Sequence, residues 1–340
     1  MKKHINIPVF IPHLGCPNNC VFCNQRFISG HGDFDPSTVR VEIEDALSTK
    51  TDDQTAEIAF FGGSFTGIDR DLMIELLSIA DSYVKDGRVN GIRLSTRPDY
   101  ISRDILDILA RYPVNCIELG IQSMSDTVLS ASKRGHTRDN SITAAALVKF
   151  YGFEFVSQMM IGLPGATAED EIMTAETCCD MGADAARIYP TVVFKDSELC
   201  DMTACGEYMP LSLDEAVERT KNALYVFYKR GVPCIRVGLC AAENLSSEDT
   251  YYAGPNHPAI GELAENALYL DIIREKLAVN KDQIEDGSMV TVLVSKGCLS
   301  KAIGQKRKNK VTLEKEYHLR HLKFAECDTV SGYDVKIEIK

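Results

Sequence analysis

The sequence lacks any apolar run approaching the roughly 20 residues that a membrane-spanning helix needs. Its first residues, Met1-Lys2-Lys3-His4, lead into a strand pattern broken by Pro8 and Pro12 and not into the apolar stretch of a secretion signal. A cytoplasmic chain without a membrane partner is therefore expected. Internal repeats and low-complexity linkers are also missing, apart from a regular alternation of strand and helix patterns. Basic residues are in deficit, with 37 Lys and Arg against 49 Asp and Glu. The resulting net charge of −12 argues against nonspecific nucleic-acid binding by the whole molecule. At 340 residues the chain is long enough for one large core and a smaller module. Its twelve cysteines suit a reducing compartment, where cysteine serves metals, catalysis or packing more often than disulfides.

Three of those cysteines stand apart. Cys16, Cys20 and Cys23 form a C-x₃-C-x₂-C loop directly after an apolar, strand-like opening at residues 5–11. A structural zinc site would close with a fourth Cys or His, and none follows at a zinc-finger spacing. Soft thiolates favour zinc, Cu(I) or iron–sulfur. Three of them on one loop can hold three irons of a 4Fe–4S cube and leave the fourth iron open to a small chelating molecule.

Strand patterns, short and rich in Ile, Val and Phe, fall at residues 5–11, 57–61, 91–95, 116–121, 154–161 and 185–193. Helical patterns lie between them at 36–48, 69–84, 102–111, 137–150 and 168–181, the last opening on Thr167 and an acidic turn. Six such units predict an α/β fold, a partial (β/α)6 barrel of the TIM type with its ligands at the carboxyl ends of the strands. Beyond them the pattern changes. A long helix is expected at 211–230, a strand at 233–238 and a helix at 262–277. A small α+β module follows, beginning with the strand at 289–294 and ending at 333–339. The expected division is residues 1–240 for the barrel with its extension and 241–340 for the accessory module.

Five predicted strand ends carry a polar or glycine-rich motif, Gly62-Gly63-Ser64-Phe65-Thr66, Ser95-Thr96-Arg97-Pro98-Asp99, Leu119-Gly120-Ile121-Gln122-Ser123, Gly162-Leu163-Pro164-Gly165 and Ile188-Tyr189-Pro190-Thr191, and Arg134-Gly135-His136-Thr137 follows the fourth strand by one short helix. Singly these are turns or caps. With the cysteine loop they resemble the radical SAM enzymes, and specifically the radical SAM part of the Elongator catalytic subunit family, over roughly residues 5–200. A more distant similarity is to oxygen-independent coproporphyrinogen oxidases.

The resemblance implies two cofactors, a 4Fe–4S cluster on Cys16, Cys20 and Cys23 and S-adenosylmethionine (SAM) on its open iron. It places Phe22 against the adenine, Gly62 and Gly63 at the methionine amino group with Ser64 on the same cofactor surface, and Gln122 and Arg134 at the ribose and the carboxylate. Ser95 belongs to the same surface. Gln158 stands where relatives have a ribose-binding acid, and Gly162 lines the adenine pocket. Reductive cleavage of SAM to a 5′-deoxyadenosyl radical, fed by a reductant such as flavodoxin or ferredoxin, is the implied chemistry. No residue is singled out as catalytic toward the substrate.

The remaining cysteines, Cys178-Cys179, Cys200/Cys205 and Cys234/Cys240, lack the tight spacing of the first loop and read as packing residues. His136, His257 and Tyr252 read as structural. Charge is unevenly sorted: nine Lys and Arg against Glu314 and Glu316 give residues 289–323 about +7, leaving the rest near −19. Within this stretch Ile303-Gly304-Gln305-Lys306-Arg307 resembles the G-x-x-G loop of a KH module, with Arg307 in place of the second glycine. Lys301, Lys306, Arg307, Lys308 and Lys310 are the expected RNA contacts. The expected function is radical SAM modification of tRNA or another RNA. A small-molecule substrate such as a tetrapyrrole precursor, and a non-catalytic iron–sulfur RNA-binding protein, are the alternatives. The acetyltransferase domain of the Elongator family has no counterpart here, so acetyl transfer by this chain alone is not expected.

Overall fold

The computed structural model describes residues 3–11, 14–16, 20–23, 34–239 and 250–339. Strands β1 (Lys3–Ile11), β2 (Gln54–Gly62), β3 (Ile92–Thr96), β4 (Val114–Gln122), β5 (Glu154–Ile161) and β6 (Ala185–Pro190) lie side by side in chain order, every neighbour pair parallel. Parallel pairing requires a crossover after each strand. Helices α1 (Val39–Ser48), α2 (Arg70–Lys85), α3 (Arg103–Leu109), α4 (Asp126–Ala131), α5 (Arg138–Phe150) and α6 (Ala168–Asp180) supply these crossovers. Their starts are set locally. Asp69 accepts from the amides of Asp71 and Leu72, and Thr137 and Thr167 form capping boxes with Asn140 and Asp170.

The strand at 185–193 is not continuous. It stops at Pro190, and β7 (Val193–Phe194) turns away to pair antiparallel with β9 (Tyr251–Ala253). Helices α7 (Glu198–Ala204) and α8 (Leu213–Lys229) follow. The segment expected as an isolated strand at 233–238 is β8 (Cys234–Val237), the seventh member of the parallel sheet beside β6. The six-unit barrel is thus a curled seven-stranded half-barrel. The strand itself was expected; its addition to the edge of the barrel sheet, with Ile235 half exposed there, was not.

Side chains on the sheet alternate between two environments. On β4, Ile117, Leu119 and Ile121 join the main core with the helices, while Glu118, Gly120 and Gln122 point to the opposite face. That second face carries a polar layer. Glu118, fully buried, accepts from Arg93 Nη1 (3.1 Å), Arg187 Nη2 (2.9 Å) and Gln158 Nε2 (2.7 Å). Arg93 Nε donates onward to Glu57 (3.1 Å).

Helix α9 (Ile260–Val279) packs on α8 and carries the C-terminal module. In the module β10 (Met289–Val294) lies between β11 (His321–Glu326, parallel) and β12 (Val335–Ile339, antiparallel). The short helices α10 (Leu299–Ile303) and α11 (Lys308–Glu316) connect β10 to β11. Leu268, Ile272 and Ile273 of α9 share one core with Val290, Val292 and Leu322. Among the described residues no helix is long and apolar enough to cross a membrane.

Candidate active site at the strand ends

The root of the cysteine loop crosses directly over the end of β2. Gly62 has φ +106°, a conformation open to glycine. A Cβ on Gly63 would stand 2.3 Å from Leu14 O, and one on Gly15 would stand 2.2 Å from Ser64 O. These glycines therefore permit close contact between two backbones. Cys20 is buried and Cys16 and Cys23 half buried, and the Cys23 amide donates to Cys20 O (2.9 Å). No described cysteine is in a disulfide. Among the described residues no three His, Cys, Asp or Glu side chains gather around a single ion. A cube differs from such a site in taking one thiolate for each of three irons.

Arg134 connects this loop to β4. Its Nη1 lies 3.4 Å from Cys20 Sγ and its Nη2 donates to Gly120 O (2.8 Å). Gln122 ends β4 at φ +66° beside an irregularity in the β4–β5 register. For a non-glycine residue this backbone stores strain, a feature that clusters at functional sites. A Cβ on Gly120 would meet both Arg134 Nη2 (2.7 Å) and Gln122 Nε2 (3.0 Å), so these two side chains converge above it. Arg97, 2% exposed, donates to Arg134 O (2.6 Å) and pairs with Asp99 (2.8 Å). His136 is held by Ile121 O (3.2 Å); burial, then the Arg134 cation, pushes its pKa down to about 3, so it is neutral.

Three orphaned atoms fall among these residues and the neighbouring Ser64. Ser64 Oγ, Gln122 Oε1 and Arg97 Nη1 are buried without a hydrogen-bond partner, and such groups call for an explanation. Deeper, Gln158 Nε2 donates to Ser95 Oγ (3.2 Å) as well as to Glu118. Two residues expected on the cofactor surface thus touch each other.

At the end of β5, Gly162 (φ +78°) is gripped from both sides of its peptide. Its amide donates to Glu171 Oε1 (2.6 Å) and its carbonyl accepts from Tyr208 OH (2.6 Å). Arg219 donates to both Glu171 oxygens (2.6 and 2.7 Å) and to Ala166 O (2.9 Å). Glu118, Arg97, Glu171, Tyr208 and Arg219 were not singled out by sequence. Arg97 and Glu118 lay within or beside quoted strand-end motifs without being assigned a role.

The other sequence candidates lie elsewhere. Burial pushes the Cys178 and Cys234 thiols up to about 12 and Cys179 to about 11, which keeps them protonated and suits packing. Cys205 is exposed, and Cys240 falls outside the described residues. His257 Nδ1 accepts the Ala259 amide (3.1 Å) in a turn, and Tyr252 is exposed. In the basic segment Lys301 pairs with Glu265 (2.8 Å) and Lys310 with Glu314 (3.7 Å). Lys306, Arg307 and Lys308 are exposed and have no carboxylate within 4.0 Å among the described residues. Lys306 and Arg307 sit on the turn between α10 and α11, with φ +52° and +63°, and Lys308 opens α11.

The family model for the radical SAM superfamily matches residues 10–178, and the model for the radical SAM C-terminal domain matches residues 183–269. The chain belongs to the radical SAM superfamily. It is an enzyme of the kind that uses a 4Fe–4S cluster and SAM and requires a reductant. An uncharacterized protein of Methanocaldococcus jannaschii is 29% identical over 232 residues, covering 64% of this chain and 70% of that protein. The tRNA uridine(34) acetyltransferase of the same organism is 27% identical over 246 residues, 60% of this chain but 45% of the relative. Among solved structures, archaeal Elp3 of Methanocaldococcus infernus with residues 1–46 deleted superposes with a TM-score of 0.61 at 22% identity. It covers 79% of this chain and 63% of that one, and shows the same fold.

The radical SAM site fits its cofactors on its own chemistry. A cube with three thiolates and a chelating amino acid brings negative charge, and Arg134 and Arg97 supply the opposite sign beside Cys20 and Cys16. The unpartnered Ser64 and Gln122 oxygens are available to a polar ligand.

Proposed function

We propose that this radical SAM enzyme modifies an RNA, with tRNA as the substrate class. In this reading Cys16, Cys20 and Cys23 each hold one iron. Gly62, Gly63 and Ser64 face the methionine amino group, and Arg134 with Gln122 takes the carboxylate and ribose edge. Arginine suits the carboxylate because its fork presents two parallel N–H groups. Ser95 and Gln158 form the ribose wall, while Phe22 and the Gly162 backbone border the adenine. When bound, the reduced cluster supplies one electron that splits SAM into methionine and a 5′-deoxyadenosyl radical. The protein's part is to orient SAM and to hold His136 neutral behind the strand end. A one-electron carrier of the flavodoxin or ferredoxin class fits the need for a reductant.

The observation that carries the RNA reading is the cationic turn. In a chain of net charge −12, Lys306, Arg307 and Lys308 stand together, exposed and unneutralised by nearby carboxylates. The turn is also locked. Asn309, buried, donates to Asn266 O (2.7 Å) and Ala302 O (3.1 Å), holding the backbone that displays the three cations. Phosphate contacts of this kind are salt-dependent.

Filter binding of tRNA across a salt series tests the reading. Reversing charge at Lys306, Arg307 and Lys308 should weaken binding and reduce the salt slope by about 2, at roughly 0.7 per single-strand phosphate contact. Unchanged affinity, with SAM cleavage stimulated by a small tetrapyrrole precursor and not by tRNA, would reject RNA as substrate.

A further inference from the structure

The grip on Gly162 and the packing of the cysteine loop come from one stretch of chain. Leu199 of α7 donates its amide to Val21 O (2.8 Å), between Cys20 and Cys23. Val21, Val193, Leu199 and Tyr208 make a small buried cluster against which Phe22 packs. Glu198 of the same helix pairs with Lys133, next to Arg134. Nine residues on from Leu199, Tyr208 caps the Gly162 carbonyl, and Arg219 of α8 locks Glu171 onto the Gly162 amide.

Gly162 needs such holding. Its left-handed backbone is open to glycine, and a Cβ there would stand 2.8 Å from Leu211 Cδ1, so no side chain of its own can anchor it. Its two peptide groups are instead fixed from outside by a buried carboxylate and a buried phenol. The carboxylate is worth its burial because Arg219 neutralises it in a forked pair.

We infer that residues 197–219 form a bracket joining the cysteine loop to the Gly162 turn, in which Tyr208 and Arg219, the latter acting through Glu171 of α6, are positioning residues for the nucleoside end of SAM. This rests on the reading that Gly162 borders the adenine. The bracket belongs to the C-terminal family segment, so that segment takes part in cofactor binding as well as in closing the sheet.

The test uses the full chain, reconstituted anaerobically, with Tyr208→Phe and Arg219→Lys as variants. Both keep the size and the apolar or cationic character of the side chain. Affinities are measured by equilibrium dialysis for SAM, for 5′-methylthioadenosine, which carries the adenosine without the amino-acid chelate, and for methionine, which carries the chelate without the adenosine. Tyr208→Phe should weaken SAM and methylthioadenosine equally, by about 5- to 10-fold for the lost hydrogen bond. Methionine binding and iron content should stay at wild-type values, while the thermal midpoint falls by a few degrees for the buried carbonyl left without its donor. Arg219→Lys should follow the same pattern. Equal loss for all three ligands, or no loss with a full cluster, would overturn the bracket. A wild-type protein that loads iron but binds neither SAM nor methylthioadenosine would instead overturn the adenine reading on which it rests.

Discussion

Arg134 and Cys20 are 114 positions apart in sequence, yet the guanidinium Nη1 stands 3.4 Å from the sulfur while Nη2 is anchored on Gly120 O. One cation is thereby fixed beside a proposed iron ligand and at the end of the strand expected to meet the SAM carboxylate. Charge and fork geometry can be separated by substitution. Arg134→Lys should keep the reduction potential of the cluster near the wild-type value but cost about tenfold or more in SAM affinity. Arg134→Gln should cost affinity and also lower the potential, because a nearby cation favours the more negative reduced cluster. Redox titration followed by electron paramagnetic resonance reads the potential. Equal potentials in Lys and Gln variants would show that the charge does not act on the cluster.

Gly63 offers a steric prediction. The added carbon of Gly63→Ala would fall 2.3 Å from Leu14 O and 2.8 Å from Ile11 O, and backbone on both sides has nowhere flexible to retreat. Overpacking of this kind costs about 1–3 kcal/mol. Because the strain falls at the root of the cysteine loop, iron content after reconstitution should drop more sharply than the thermal midpoint. Full iron loading with wild-type stability would contradict the close approach.

His136 supplies the pH dependence. Its folded pKa is depressed to about 3 from the usual 6.5, chiefly by burial. The unfolded chain therefore binds a proton that the folded one excludes. The stability this provides is complete above about pH 6.5 and is lost as pH falls toward 3. Denaturant midpoints of wild type and His136→Gln should converge as the pH is lowered from 7 to 4, and a constant difference would exclude the mechanism.

The division between what is legible in sequence and what is not follows from how many residues a motif spans. Cys16, Cys20 and Cys23 declare themselves because one short loop carries all three, and five strand ends read clearly because glycine, proline and polar residues interrupt apolar runs there. Gln122 was a candidate by its motif, but its positive φ emerges only from the irregular β4–β5 pairing. The supports of Gly162 were invisible, since Tyr208 and Arg219 lie 46 and 48 positions from the groups they hold. The C-terminal turn falls between these cases. Sequence marked five cations, and only the fold separates Lys301 and Lys310, which have carboxylates beside them, from Lys306, Arg307 and Lys308. The strand at 233–238 was legible, but its place as the seventh member of the sheet was not, because its pairing with β6 is set by the packing of the intervening helices and not by a local motif.

Glu118 places a carboxylate in the middle of a largely apolar strand. It is fully buried, yet Arg93 and Arg187 bring two cations to it and Gln158 a neutral donor, so its lone pairs are satisfied and its charge is offset. Glu118→Leu leaves Arg187 without its carboxylate inside the sheet and should cost about 3–5 kcal/mol. Arg187→Met alone should also destabilise, by removing one of the cations that offset Glu118. The double variant Glu118→Leu/Arg187→Met replaces the pair by apolar volume and should be less destabilised than the sum of the singles. Arg93 retains Glu57 in that background. Urea unfolding of the four proteins gives the coupling directly. Additive losses would mean that the two side chains act separately and that the polar layer does not hold Gln158 against Ser95 as a unit.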